Sequence, residues 1–176
     1  MEIRFSAVPA EDALSPALRA DLLDTWVAAT DAGGAVGFTP PAPVPAVAAT
    51  LDEALAKVAD DTDALGVLYA GDRAVGMGLL VDNGSHLRPH WRTVLRVMVR
   101  PEHQGSGAGA MLMSGLHRMA ADLGLEHLQL TVRDGLGLEE FYKRFGYRVV
   151  GRHPGAIRVT PGDDRDEVML VADLRS

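Results

Sequence analysis

The chain contains no cysteine. It therefore has no disulfide framework, no thiolate metal site and no cysteine nucleophile, and any sulfur in its chemistry has to arrive on a cofactor. Lysine is scarce as well: Lys57 and Lys143 are the two lysines among 17 basic residues, an arginine bias that points to a GC-rich coding sequence before it points to an activity. No apolar run approaches the ~20 residues that cross a bilayer. The opening segment MEIRFSAVPAEDALS lacks the basic then apolar plan of a signal peptide, so the expected location is the cytoplasm, with no membrane partner. Positive charge is in deficit. A formal net charge of −7 argues against a broad basic face for nucleic acid and is compatible with cationic small substrates. There is no internal repeat and no low-complexity tail. What is present is 176 residues with 47% hydrophobic and 23% charged side chains, enough for one core and one domain over residues 1–176.

Periodicity assigns the elements. EIRFSAV alternates Ile3, Phe5 and Ala7 on one side and reads as a strand. Ser15 is a good N-cap, Pro16 a good first helical residue, and Leu18, Leu22, Leu23, Trp26 and Val27 fall on one stripe, which predicts a helix stopped by Gly33 and Gly34. A proline-rich loop follows, and then a second helix from about Val47 to Ala59. ALGVLYA and RAVGMGLLV, separated by Gly71 and Asp72, form a hairpin. WRTVLRVMV (Trp91 to Val99) is a further strand that leads into the glycine turn QGSGAGA. A helix then runs from Ala108 to Leu123 with Gly124 as its left-handed stop. LEHLQLTV, the short helix GLEEFYKRF ended by Gly146, and the strands YRVVGR and DEVMLVADL complete the chain. Six or seven strands with about four helices, mostly interleaved, make an α/β or α+β domain.

The glycine turn carries the chemistry. A strand, a glycine-rich turn and a helix N-terminus form an anion site, because unpaired backbone N–H groups point outward and the helix dipole reinforces them. The nucleoside triphosphate version needs GxxxxGK[ST], and this segment has no lysine. The dinucleotide fingerprint G-x-G-x-x-G/A is matched by Gly105, Gly107 and Ala110, but Arg100 to Gln104 separate the turn from its strand. The acidic residue that would hold the ribose is also misplaced, at Glu126 or Asp134.

A third pattern fits over a longer stretch. The segment VMVRPEHQGSGAG resembles the V-x-P-x-x-Q/R-G-x-G-x-G motif of the GNAT superfamily of N-acetyltransferases, with Gln104, Gly107 and Gly109 in register, and EEFYKRFGYRVVGR resembles the family's later F-Y-x-x-x-G-F/Y segment. From Trp91 to Arg152 the order of elements agrees. One departure is Gly135, where the family usually has an asparagine seven positions before the tyrosine. VGRHPGAIRVTPGDDRDEV is loosely similar to the C-terminal segment of tabtoxin-resistance-type acetyltransferases.

The resemblance implies a GNAT fold, a central mixed and mostly antiparallel sheet flanked by helices, and acetyl coenzyme A as acetyl donor. It implies that Gln104, Gly105, Ser106, Gly107, Ala108, Gly109 and Ala110 hold the pyrophosphate, and that Val97, Met98 and Val99 lie along the pantetheine arm. A backbone N–H near Met98 would polarise the thioester carbonyl. Tyr142 would protonate the departing thiolate. For the general base the candidates are His90, with Glu139 behind it. His86 and His90 stand four apart, but Pro89 argues against the helix that a metal site would need, so no metal is expected. The acceptor pocket is expected from Trp26, the loop bearing Gly33 and Phe38, and Trp91. The expected activity is direct acetyl transfer to the primary amine of a small molecule, by a monomer or homodimer. A non-catalytic acyl-coenzyme A sensor of the same fold and a nicotinamide-dependent oxidoreductase stay open as alternatives.

Overall fold

Ser15 accepts a hydrogen bond from the Leu18 N–H at 3.4 Å, and with Pro16 in the first turn helix α1 runs Pro16–Asp31. The computed structural model describes residues 1–175. Before α1 lies strand β1, Ile3–Ala7. Helix α2, Val44–Ala59, begins ahead of the expected Val47 because Pro45 fits a first turn, where its missing N–H costs nothing. The hairpin of β2, Ala64–Ala70, and β3, Arg73–Val81, turns at Gly71 and Asp72 as the sequence indicates. Strand β4, Trp91–Val99, helix α3, Ala108–Asp122, strand β5, His127–Arg133, and helix α4, Leu138–Lys143, follow.

Two last strands, β6 (Tyr147–Thr160) and β7 (Asp163–Asp173), form a hairpin much longer than YRVVGR alone suggests. The strand continues through Pro154 and Gly155 because β6 is the sheet's edge, where a missing N–H removes no ladder bond. A register shift between His153 and Ile157 absorbs the irregular residues.

The seven strands form one sheet in the order β1-β2-β3-β4-β5-β7-β6. Every neighbouring pair is antiparallel except β4 and β5. On one face α3 buries Leu112, Met113 and Leu116 against Leu68, Leu80, Val94 and Leu128. On the other, α1 and α2 bury Leu22, Trp26, Leu51 and Leu55 against Leu65, Val67 and Met77. The α3 layer sits close because Gly66, Gly78 and Gly115 leave room for Phe5 and Leu116; a Cβ on Gly115 would lie 2.3 Å from the Phe5 ring.

Two features of β4 position everything that follows. Its parallel pairing with β5 covers only Trp91, Arg92 and Thr93, opposite His127, Leu128 and Gln129. Beyond Thr93 the two strands part, and β4 presents an open edge. Its antiparallel pairing with β3 slips between Leu95 and Met98, where Arg96 adopts the left-handed conformation with φ 56°. Val94 faces α3 and Met98 faces α1, so the bulge inverts the alternation of the strand.

Candidate functional site

The wedge between β4 and β5 is a cavity of about 1300 Å³, larger than the ~300–1,000 Å³ of a site for one drug-sized molecule. Its walls are residues 93–99 of β4 and 130–133 of β5. One end is the turn 104–110 with α4, and the other is the loop 34–43 with residues 157–159 of β6. One end is thus built from backbone and the other from side chains.

At the backbone end, Gln104 Nε2 donates to the Val99 carbonyl at 2.9 Å and ties the turn to the strand. Arg100 anchors the same corner to α1 through Asp24 at 2.7 Å. Gly105 and Gly107 have φ of 76° and 84°, a region that L side chains rarely adopt, and Gly107 is the N-cap of α3 with no side chain capping the helix. The first-turn N–H groups of α3 thus have no side-chain cap and face the turn. Gly109 faces Phe141 of α4, which a Cβ there would meet at 3.4 Å, an ordinary van der Waals contact. Arg144 lies over the Phe141 ring at 5.2 Å and brings a cation to the same end.

Tyr142, on α4, packs edge-on against Phe141 and Tyr147. Its hydroxyl has no protein partner, yet among the described residues Thr30 Oγ1 is the sole fully enclosed side-chain oxygen or nitrogen without one. The phenol oxygen therefore opens on the cavity that Tyr142 lines. Burial pushes its pKa up to about 12. Tyr147 is pushed up as well, first by burial and then by Tyr142, and its hydroxyl meets Nε2 of His117 at 3.0 Å.

These shifts have a consequence for stability. A folded-state pKa above the unfolded value favours the neutral form, so the stabilisation is complete below pH 10 and is lost as pH rises towards 12. For Tyr142 the loss is about 3 kcal/mol. Thermal melts between pH 9 and 11.5 should show a steep fall that Tyr142→Phe makes shallower; equal slopes for the two proteins would refute this.

At the other end the Arg96 guanidinium stacks on the Trp26 ring with its carbon 5.2 Å from the centroid, donates to the Val36 carbonyl at 3.3 Å, and lies where a Cβ on Gly37 would have to be. Burial pulls its pKa down, and among the described residues no carboxylate pairs with it. Arg133 of β5 donates to the Gly33 carbonyl at 3.3 Å. Glu167 of β7 supplies the one carboxylate among the described residues of the lining.

The structure brings most of the sequence-derived residues to this one cavity: Val97, Met98, Val99, Gln104, Gly105, Gly107, Gly109, Ala110, Tyr142 and Phe38 all line it. Others it places elsewhere. Ser106 turns back and donates to the His103 carbonyl at 2.7 Å, and Ala108 is buried in the core beneath the helix. Trp26 is fully buried, its indole N–H donating to the Val36 carbonyl at 2.9 Å, so it lies behind Arg96. Gly33 offers only its carbonyl, while Gly34 reaches the wall. Trp91 and His90 lie at the paired foot of β4, away from the wedge, where His90 stacks edge-on with His127 at 5.1 Å. Glu139 is bound to Arg152 at 3.0 Å, together with Asp134 and Asp166.

The lining also includes Arg96, Arg133, Arg144 and Glu167, which the sequence does not single out. Arg96 did leave a signal, a charge in the interior of the apolar run VLRVMV. Glu167 left none, being one of four acids in DDRDE, and only the curl of the long hairpin selects it.

Comparison with known proteins agrees with this architecture. The structure matches an acetyltransferase of the GNAT family from Streptococcus pneumoniae with a TM-score of 0.76 and 14% identity, covering 98% of this chain and 99% of the other. It matches yncA of Salmonella typhimurium, solved with its cofactor acetyl-CoA, with a TM-score of 0.75 and 16% identity over 99% and 95%. An aminoglycoside 6'-N-acetyltransferase complexed with coenzyme A matches with a TM-score of 0.73 and 16% identity over 99% and 97%. No curated protein matches the sequence significantly. The sequence model of the acetyltransferase (GNAT) family matches residues 17–147, which takes in both motifs and the β4 and β5 walls of the wedge, and the chain belongs to that family.

Proposed function

We propose that the protein moves the acetyl group of acetyl coenzyme A directly to the primary amine of a small molecule. The observation that carries this reading is the wedge between β4 and β5, which ends on the uncapped start of α3 and has the Tyr142 hydroxyl opening on its wall. The two neighbours solved with acetyl-CoA and coenzyme A support the choice of donor.

In this reading the N–H groups of residues 104–110 bind the pyrophosphate, and Arg144 adds a charge beside it. The open edge of β4 at Val97, Met98 and Val99 takes the pantetheine arm as a sheet takes another strand. A backbone N–H near Met98 faces the thioester oxygen as negative charge develops there. Glu167 takes over the role first given to His90 and Glu139, because it alone among those acids and bases lines the cavity. It accepts the proton that the substrate ammonium loses before attack. As the C–N bond forms and the C–S bond breaks, the Tyr142 hydroxyl faces the departing sulfur. No residue is acylated, in keeping with a chain without cysteine.

The test is release of free thiol from acetyl coenzyme A against a panel of amines, with calorimetry for coenzyme A and for NAD. Gly107→Val forces a β-branched residue into the left-handed region, a strain above the ~1–2 kcal/mol of an ordinary side chain. It should raise the KM for acetyl coenzyme A at least about tenfold with little change in kcat. Binding of NAD in place of coenzyme A, or an unchanged KM, would overturn the reading.

A further inference from the structure

The acceptor end of the wedge has a charge pattern opposite to that of the molecule. The chain carries −7 overall, yet four arginines and one carboxylate line the cavity. Two of the arginines are accounted for, since Arg158 is held by both oxygens of Asp164 and Arg144 lies at the cofactor end over Phe141. Arg96 and Arg133 are not. Among the described residues neither forms an ion pair, and they touch only backbone carbonyls and a ring inside the cavity.

Arg96 is the more telling of the two. A regular pleat would direct residue 96 to the face of Val94, into the α3 core. The bulge turns it to the opposite face at the cost of left-handed backbone, and Gly37 yields the space its guanidinium fills. Taking a guanidinium half out of water without an acid is unfavourable by itself. The fold nevertheless over-determines this position with Trp26, Val36 and Gly37, and only one of the five N–H donors is used. Arg133 approaches from the facing strand. It feels the more distant charge of Asp163, and it stands opposite Glu167 in register without pairing with it.

We propose that the acceptor is a compact amine that also carries a carboxylate or similar oxyanion, and that Arg96, seconded by Arg133, binds that anionic group. The proposal rests on the acetyl-transfer reading for the position of the amine. With the thioester near Met98, Arg96 is two residues away on β4 and lines the same cavity, so a small molecule can present its amine to one and its oxyanion to the other. An amino acid frame has this form. A polycation such as an aminoglycoside does not, since both guanidiniums would repel it.

The experiment sets α- and β-amino acids each against its own carboxamide, with an aminoglycoside as a third arm, in the thiol-release assay and in calorimetry on the coenzyme A complex. At least one amino acid should exceed its carboxamide about ten- to a hundredfold in kcat/KM, the value of a charge-assisted hydrogen bond. Arg96→Met should abolish that ratio and leave the KM for acetyl coenzyme A unchanged. Arg96→Lys, which keeps the charge and guards against a folding defect, should retain part of it. Equal use of acid and carboxamide, preference for the polycation, or discrimination that survives Arg96→Met would overturn the proposal. If no amine releases thiol, the transfer reading falls separately and calorimetry decides: carboxylate-dependent binding lost in Arg96→Met upholds an anion site, and no such binding ends it.

Discussion

Tyr142→Phe is expected to lower kcat for acetyl transfer about 10²- to 10³-fold, within the range for a positioned acid, while the KM for acetyl coenzyme A changes little. The argument starts from packing. Phenylalanine keeps the edge-on contacts with Phe141 and Tyr147, and because the phenol has no protein partner its removal orphans nothing, so the fold should be unaffected. What is lost is the hydroxyl on the cavity wall. Its pKa, pushed up to about 12 by burial, also defines how it acts. Against a thiol of about 8.5, full transfer of the phenolic proton is uphill by about 5 kcal/mol. In the proposed mechanism Tyr142 therefore acts as a hydrogen-bond donor that stabilises charge on the departing sulfur, and its proton moves over only as another reaches the phenol from the reacting amine. The profile of kcat against pH should accordingly show no limb from Tyr142 below pH 11, in wild type or with slow substrates. A Tyr142→Phe enzyme within about threefold of wild type in kcat would remove this residue from the mechanism.

The contrast between the two ends of the wedge explains what the sequence could disclose. The turn at the backbone end is built from local devices, left-handed glycines and a helix start, contiguous between Val99 and Met111. Such devices are written in adjacent residues and were readable. α1 with its Ser15 cap, the hairpin at Gly71, and the buried alternation of Leu128, Leu130 and Val132 were readable for the same reason. The side-chain end is assembled from α1, the loop 34–43, the β4 bulge, β5 and the far hairpin. A bulge depends on the register of a neighbouring strand, and the length of β6 depends on its being an edge, so neither is local. His90 lies outside the wedge by the same logic: its closeness to β4 in sequence places it at the paired foot of the strand, while the wedge opens at the other end.

Trp26 joins the two kinds of information, and its replacement by alanine should have the largest effect on stability. The side chain is fully buried between α1 and the sheet, so Trp26→Ala should cost about 3–5 kcal/mol, a large part of the 5–15 kcal/mol that holds a typical domain together. For a chain of this size that lowers the melting temperature by roughly 10 °C. Trp26→Phe separates packing from function. It retains an aromatic ring beside Phe38 but deletes the N–H that shares the Val36 carbonyl with Arg96, and it weakens the face on which the guanidinium rests. The sequence points to Trp26 as an acceptor-pocket residue; in the structure it is buried behind the cavity wall, in contact with Arg96, Phe38 and the Val36 carbonyl. Trp26→Phe should therefore stay folded at 25 °C and raise the KM for the acceptor several-fold, with the KM for acetyl coenzyme A unchanged. Equal changes in both constants would mean that the tryptophan supports the sheet as a whole and does not position the acceptor wall.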